Sequence, residues 1–240
     1  MNGKVVIGDA VLYRADCREI LPRLEDIELI VTDPPYGTGG WRRTAAGQGR
    51  DPSAALVREP WDDGALDWLA LCRGAPVLTF WPPQQMAQLL AAARAAGYAK
   101  TRFLYMRKRD PRPPVAGRTA WSVEPIAVLS QPGFQLYGGT DVIDTTTPRI
   151  GRDAEAVGHP YQKPLAVMLW LIAKTRCGSI VDPFMGSGTT GLACKQLGRR
   201  FIGIERDPDS FTLASRRLTE AERQADLPWG RLALPGLRHE

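Results

Sequence analysis

Short apolar runs alternate with helical patterns along most of this chain, and that alternation restricts it to one kind of fold. Strands are predicted over residues 11–14, 28–32, 76–80, 102–107, 126–130, 179–181 and 201–204, and helices near 66–73, 83–96, 165–176, 189–197 and 210–224. Strand-then-helix repetition gives an α/β fold, a mostly parallel sheet with helices on both faces. Ligands of such sheets bind beyond the carboxyl ends of the strands. Asp16, Asp33, Asp182 and Glu205 all fall at such ends. At 240 residues the chain is long enough for one well-buried domain, read here as spanning 1–240. Its 44% apolar and 24% charged content is that of an ordinary soluble globular protein. No apolar run reaches the ~18 residues of a membrane-spanning helix. The start Met1-Asn2-Gly3-Lys4 lacks a signal-peptide core.

Asp33-Pro34-Pro35-Tyr36 follows the apolar run Ile27-Glu28-Leu29-Ile30-Val31-Thr32 and precedes Gly37. The pattern delivers a carboxylate, two prolines and an aromatic ring to the end of a buried strand. Successive prolines fix φ near about −65° and offer carbonyls without N–H donors. A stiff, acceptor-rich turn beside a flat ring suits an amino group on a planar base. The carboxylate and a backbone carbonyl each accept one N–H, and the Tyr36 ring stacks on the base. The same four residues also suit a plain turn with a core aromatic.

The second signal is Ser179-Ile180-Val181-Asp182-Pro183-Phe184-Met185-Gly186-Ser187-Gly188-Thr189-Thr190. It reads as strand, acidic edge, glycine turn and helix start. Gly186 and Gly188 allow positive φ or close approach of a ligand. Thr189 and Thr190 are expected to cap the helix that follows, and free N–H groups there attract an anionic group such as a carboxylate. The turn lacks the Lys-Ser/Thr ending of a phosphate-binding loop and the third glycine of the dinucleotide fingerprint. The next strand ends in Glu205-Arg206. An acidic residue about 20 positions after a glycine turn is placed to bind ribose hydroxyls; it equally suits a charge at the start of the helix beyond Asp207-Pro208.

Taken together, these residues resemble the amino-methyltransferases of DNA, which methylate adenine N6 or cytosine N4 with S-adenosylmethionine. Asp33 to Tyr36 match the family's catalytic motif, and Asp182 to Thr190 match its cofactor loop. The catalytic motif comes first, as in the β group, a circular permutation of the usual methyltransferase. The resemblance implies a Rossmann-like methyltransferase fold with a mostly parallel seven-stranded sheet. It implies Asp33, Pro34, Pro35 and Tyr36 as catalytic. It implies a cofactor site of Asp16, Cys17, Lys163, Asp182, Pro183, Phe184, Gly186, Ser187, Gly188, Thr189, Glu205 and Arg206. Val11 to Cys17 look like the family's opening strand, whose Asp, here Asp16, accepts from the cofactor's adenine amino group; Asp16 also suits a helix N-cap, since residues 18–24 fit a helix. His159-Pro160-Tyr161-Gln162-Lys163-Pro164 resembles the segment before the helix beside the cofactor. Lys163 would reach the methionine carboxylate or hold the loop, or simply start a helix. Glu124 to Leu129 match the family's late antiparallel strand. Family members whose motif begins with Asp mostly methylate adenine, so adenine N6 is the expected target and cytosine N4 the alternative. A silent DNA-binding regulator and an RNA-modifying enzyme are the readings of other classes.

The net charge of +5 agrees with a polyanion partner, expected to be double-stranded DNA. Cys17, Cys72, Cys177 and Cys194 lack zinc-ligand spacing, and His159 and His239 are the two histidines. No metal site is expected, and the thiols read as reduced in a cytoplasmic protein. Residues 37–60, with Trp41, Arg42, Arg43, Arg50 and Arg58, read either as a loop closing over a flipped base or as a plain surface loop. Residues 131–158, with Tyr137, Arg149 and Arg152, form a short candidate target-recognition segment, flanked by the basic stretch 108–118. The resemblance leaves a homodimer and a cognate restriction nuclease open as partners.

Overall fold

Among the described residues, nine strands make one twisted sheet in the order β1-β2-β11-β10-β3-β6-β8-β7-β9. The structure, a computed structural model, describes residues 3–36, 41–43, 56–58, 66–110, 122–146 and 162–225, with the backbone alone for 41–43 and 56–58. The strands are β1 (Gly3–Ile7), β2 (Ala10–Arg14), β3 (Leu29–Thr32), β4 (Trp41–Arg43), β5 (Leu56–Arg58), β6 (Val77–Phe80), β7 (Lys100–Lys108), β8 (Val123–Ser130), β9 (Val142–Thr145), β10 (Ser179–Asp182) and β11 (Arg200–Glu205). The helices are α1 (Cys17–Ile20), α2 (Trp68–Leu71), α3 (Met86–Ala95), α4 (Leu165–Ala173), α5 (Thr189–Gln196) and α6 (Pro208–Ala225).

The seven strands expected from sequence all form, as the contiguous middle of the sheet from β2 to β7. Two more extend its edges: β1 pairs antiparallel with β2, and β9 pairs parallel with β7. β2, β11, β10, β3 and β6 run parallel, and β8 turns antiparallel between β6 and β7. β4 and β5 form a separate hairpin within the 37–60 stretch. The remainder of that stretch, together with Arg149, Arg152, the His159-Pro160-Tyr161 segment and His239, lies outside the described residues.

Alternation along the central strands feeds two cores. Leu29, Val31 and Ile180 pack with Val167, Leu171, Ala193 and Leu218 of α4, α5 and α6. Ile30, Val181 and Ile204 pack with Ile20, Trp68 and Leu89 of α1, α2 and α3. A strand buried on both faces reads as a continuous apolar run, as β3 does. The chain leaves β10 through α5 towards β11 and leaves β3 through α2 towards β6. The order therefore reverses between β3 and β10, the place where open α/β sheets bind their ligands.

Candidate active site

The two turns singled out in the sequence meet at that reversal. β3 and β10 pair in parallel, Leu29 with Ile180 and Ile30 with Val181. Thr32 Oγ1 donates to Asp182 Oδ1 at 2.7 Å, across 150 residues of chain. Asp33 and the glycine turn thus emerge side by side from the carboxyl edge of the sheet.

Asp33 is surrounded by groups that aim it. The Tyr36 hydroxyl donates to its Oδ1, and Lys163 Nζ stands 2.9 Å from its Oδ2. The Tyr36 ring rests edge-to-face on Trp81, with centroids 5.4 Å apart and planes at 80°. Lys163 also stands 3.4 Å from Glu124 Oε2 and 4.7 Å from the centroid of the Phe80 ring. Lys108 pairs with the other oxygen of Glu124. Burial disfavours the Lys163 ammonium, but Asp33, Tyr36 and Glu124 outweigh it and hold its pKa well above the usual lysine range. Burial, then the adjacent Asp33 charge, pushes the Tyr36 phenol well above its ordinary value, so it stays an O–H donor. Burial would raise Glu124, yet its two lysines hold it below the ordinary carboxylate range. The resemblance offers Lys163 to the methionine carboxylate, to the loop or to a helix start; in the structure its ammonium pairs with Asp33 and Glu124.

The glycine turn is built from behind. Asp182 is 2% exposed. Besides Thr32, it accepts from Phe184 N at 3.1 Å and from Thr190 Oγ1 at 2.6 Å. Burial still pushes its pKa up to about 6 against those bonds. Gly186 and Gly188 have φ of 50° and 80°. A Cβ on Gly188 would also come within 3.0 Å of Ala214 Cβ on α6. Arg217 of α6 donates to Ser187 O at 2.6 Å and to Ser187 Oγ and Thr189 Oγ1, each at 3.2 Å. The expectation that Thr189 and Thr190 cap α5 is not met. Gly188 occupies the cap position without a side-chain bond, because the left-handed backbone there starts the helix one residue earlier and turns both threonines inward. Pro183 is buried, and the Phe184 ring packs edge-to-face on Trp68 at 5.5 Å.

Glu205 and Asp16 finish the neighbouring strands β11 and β2. Glu205 Oε2 accepts from Gly186 N at 2.9 Å and Oε1 from Asp207 N at 2.8 Å. Burial pushes Glu205 up to about 7, partly offset by those bonds. Asp16 is the N-cap of α1, accepting from Arg18 N at 2.9 Å, and its second oxygen takes Arg206 Nη1 at 2.9 Å. The Ala15 N–H donates to the Glu205 carbonyl at 3.1 Å and locks the two strand ends together. Cys17, the first residue of α1, is buried, and burial pushes its thiol up to about 12. Carboxylates on adjacent strand ends, an aromatic ring and a glycine turn at a helix start form a donor and acceptor set that fits an adenosyl group carrying an amino acid.

Sequence reasoning gave no site role to Glu124, placed only in the late antiparallel strand, nor to Lys108, Trp81 and Arg217. Charges inside the strand patterns of β7 and β8 were the one available signal for the first two. The register that brings Glu124 opposite Met106, next to Lys108, is a property of the sheet.

A parallel sheet with this reversal and this pair of turns defines a class: methyltransferases of the Rossmann-like kind. The family model described as DNA methylase, for N6- and N4-type enzymes, matches residues 74–216, and the chain belongs to that family. The type II methyltransferase M2.LlaDCHI of Lactococcus lactis subsp. cremoris is 27% identical over 246 residues, 88% of this chain and 90% of the relative. M2.DpnII of Streptococcus pneumoniae is 42% identical over 96 residues, 38% of this chain and 35% of that protein. The crystal structure of the M1.HpyAVI–SAM complex superposes with a TM-score of 0.65 at 25% identity, covering 86% of this chain and 98% of the other. The cytosine-N4-specific PvuII DNA methyltransferase shares the fold, with a TM-score of 0.62 at 14% identity over 91% and 93% of the chains.

Proposed function

We propose that this DNA methyltransferase acts on adenine N6 in duplex DNA, with Asp33 as the acceptor of the amine protons. The observation that carries the reading is the β3–β10 junction, where the Thr32–Asp182 hydrogen bond sets the acidic turn beside the glycine turn. An Asp at the head of the catalytic motif supports adenine over cytosine, by resemblance to the family.

The methyl donor is S-adenosylmethionine, which supplies an electrophilic methyl group on a sulfonium. Asp16 and Glu205 would hold its adenine amino group and ribose hydroxyls. The turn from Gly186 to Thr189 would face its amino-acid end, and Phe184 would pack beside it. Asp182, Pro183 and Cys17 act from behind, by shaping the turn and its neighbours, and Arg206 does so by orienting Asp16.

The exocyclic amine is a weak nucleophile because its lone pair is delocalised into the ring, and a duplex hides it. Flipping the base out costs about a few kcal/mol, and stacking on an aromatic ring such as Tyr36 returns roughly 1–3 kcal/mol. Asp33 and the Pro34 carbonyl then accept the two N–H bonds and pull the nitrogen towards tetrahedral geometry, freeing its lone pair. As the nitrogen–methyl bond forms, the methyl–sulfur bond would break with its electron pair going to sulfur; positive charge grows on the nitrogen, and its spare proton then passes to water. A carboxylate already oriented by Tyr36 and Lys163 stabilises that charge more in the transition state than in the ground state.

Mass spectrometry of nucleosides from duplex DNA treated with wild type and Asp33→Ala tests the reading. N6-methyladenine from wild type alone is expected. N4-methylcytosine would overturn the base assignment, and unchanged turnover by Asp33→Ala would overturn the catalytic one.

A further inference from the structure

Lys163 is shared between two carboxylates. Its ammonium stands 2.9 Å from Asp33 and 3.4 Å from Glu124, and Lys108 holds the far oxygen of Glu124. Four charges therefore alternate in sign from the end of β7, across β8, to the catalytic turn. The arrangement bears on a conflict within the reaction. The ammonium fixes the direction of Asp33, which the amine requires. Yet a cation committed to the same carboxylate opposes the positive charge that grows on the amine, because like charges a few ångströms apart in a half-buried site repel. A second carboxylate able to take the ammonium relieves the conflict. Glu124 is within reach to do so with a small swing of the lysine tip, while the Phe80 ring beneath the ammonium offers a fixed surface to pivot on.

We propose that Glu124 is a positioning residue for methyl transfer: anchored by Lys108, it draws the Lys163 ammonium off Asp33 as the amine acquires charge. The inference rests on Asp33 being the acceptor of the amine protons. No covalent bond changes at Lys163 or Glu124; the ammonium keeps its three protons and exchanges one hydrogen-bond acceptor for another.

The test is a double-mutant cycle with three readouts: single-turnover methyl transfer to duplex DNA, S-adenosylmethionine affinity by calorimetry, and DNA affinity at fixed salt. Glu124→Gln is expected to slow methyl transfer about 10- to 100-fold while both affinities stay within about twofold of wild type. Glu124→Asp, which keeps the charge, is expected to regain most of the rate. In a Lys163→Gln background, Glu124→Gln is expected to cost less than about threefold more, because there is no ammonium left to draw away. An unchanged rate in Glu124→Gln, or losses that multiply in full in the double variant, would overturn the proposal. Loss of both affinities in step with the rate would assign Glu124 to the scaffold and overturn it as well. Should Glu124→Gln fail to fold, Lys108→Gln, which removes the anchor of Glu124, enters the same cycle, and full multiplication with Lys163→Gln is again the refuting result. A wild-type protein that transfers no methyl group refutes the catalytic reading itself, a different outcome from a wild type that works and variants that do not depend on Lys163.

Discussion

Asp33 and Asp182 end neighbouring parallel strands, and each is followed by proline, yet the protein uses them in opposite ways. Asp33 is 19% exposed and faces a lysine. Asp182 is sealed in and faces two threonine hydroxyls and an amide. The lysine and the Tyr36 hydroxyl fix the direction of a half-open carboxylate. Hydroxyls around a sealed one leave the penalty of burying a charge largely standing, and its pKa rises. The comparison teaches that a carboxylate at a strand end is assigned to chemistry or to architecture by what the adjoining elements place against it. Its own neighbours in the chain do not decide the matter.

Four experiments probe that division, the largest expected effect first. Asp33→Ala should lower methyl transfer by about 10³-fold or more with cofactor affinity nearly unchanged; a tritiated-methyl assay with parallel calorimetry checks both. Asp182→Ala should do the reverse. It strands the Thr32 and Thr190 hydroxyls and should destabilise the fold by about 2–5 kcal/mol in urea unfolding, carrying cofactor binding down with it. A stable Asp182→Ala that binds cofactor normally would erase the contrast.

The third experiment uses pH. Burial raises Asp182 to about 6 and Glu205 to about 7, above the ordinary values of 3.8 and 4.5. Each therefore binds its proton more tightly folded than unfolded. The stability they contribute is fully present below the ordinary values and is lost as pH rises through about 6 and about 7. Glu205→Gln should flatten the fall in cofactor-free stability between about pH 4.5 and 8 by about 2–3 kcal/mol, as read by thermal melts across that range. It should also weaken S-adenosylmethionine binding, and an unchanged affinity would remove Glu205 from the cofactor site. The smallest effect is expected from Tyr36→Phe. It keeps the ring and loses the bond to Asp33, for a rate loss of about tenfold, and Tyr36→Ala should lose more. Equal losses would leave the ring without a role.

The central seven strands were legible because each is a short apolar run set off by polar or glycine-rich connections, and the acidic strand ends marked the working edge. β1 and β9 were not. Both are edge strands with one sheet partner, so their side chains are half exposed and the apolar signal is weak. In the site, Asp33, Tyr36 and the glycine turn announce themselves by local spacing. The Lys163–Glu124–Lys108 contacts do not, because they depend on how β8 registers against β7 and on where the segment before α4 comes to rest. The role of the Tyr36 hydroxyl was hidden for a related reason: a stacking ring is visible as a residue type, whereas an oriented O–H is visible only beside its acceptor. The misplaced cap has a local cause, since glycine at the left-handed position of residue 188 overrides threonine's preference.

The long span between Thr32 and Asp182 has a consequence for how the protein is made. During synthesis β3 leaves the ribosome well before β10, one of its two flanking strands. The glycine turn comes later still to rigidity, for it waits on Ala214 and Arg217 of α6. On the proposed catalytic reading, methyl transfer waits until that helix docks.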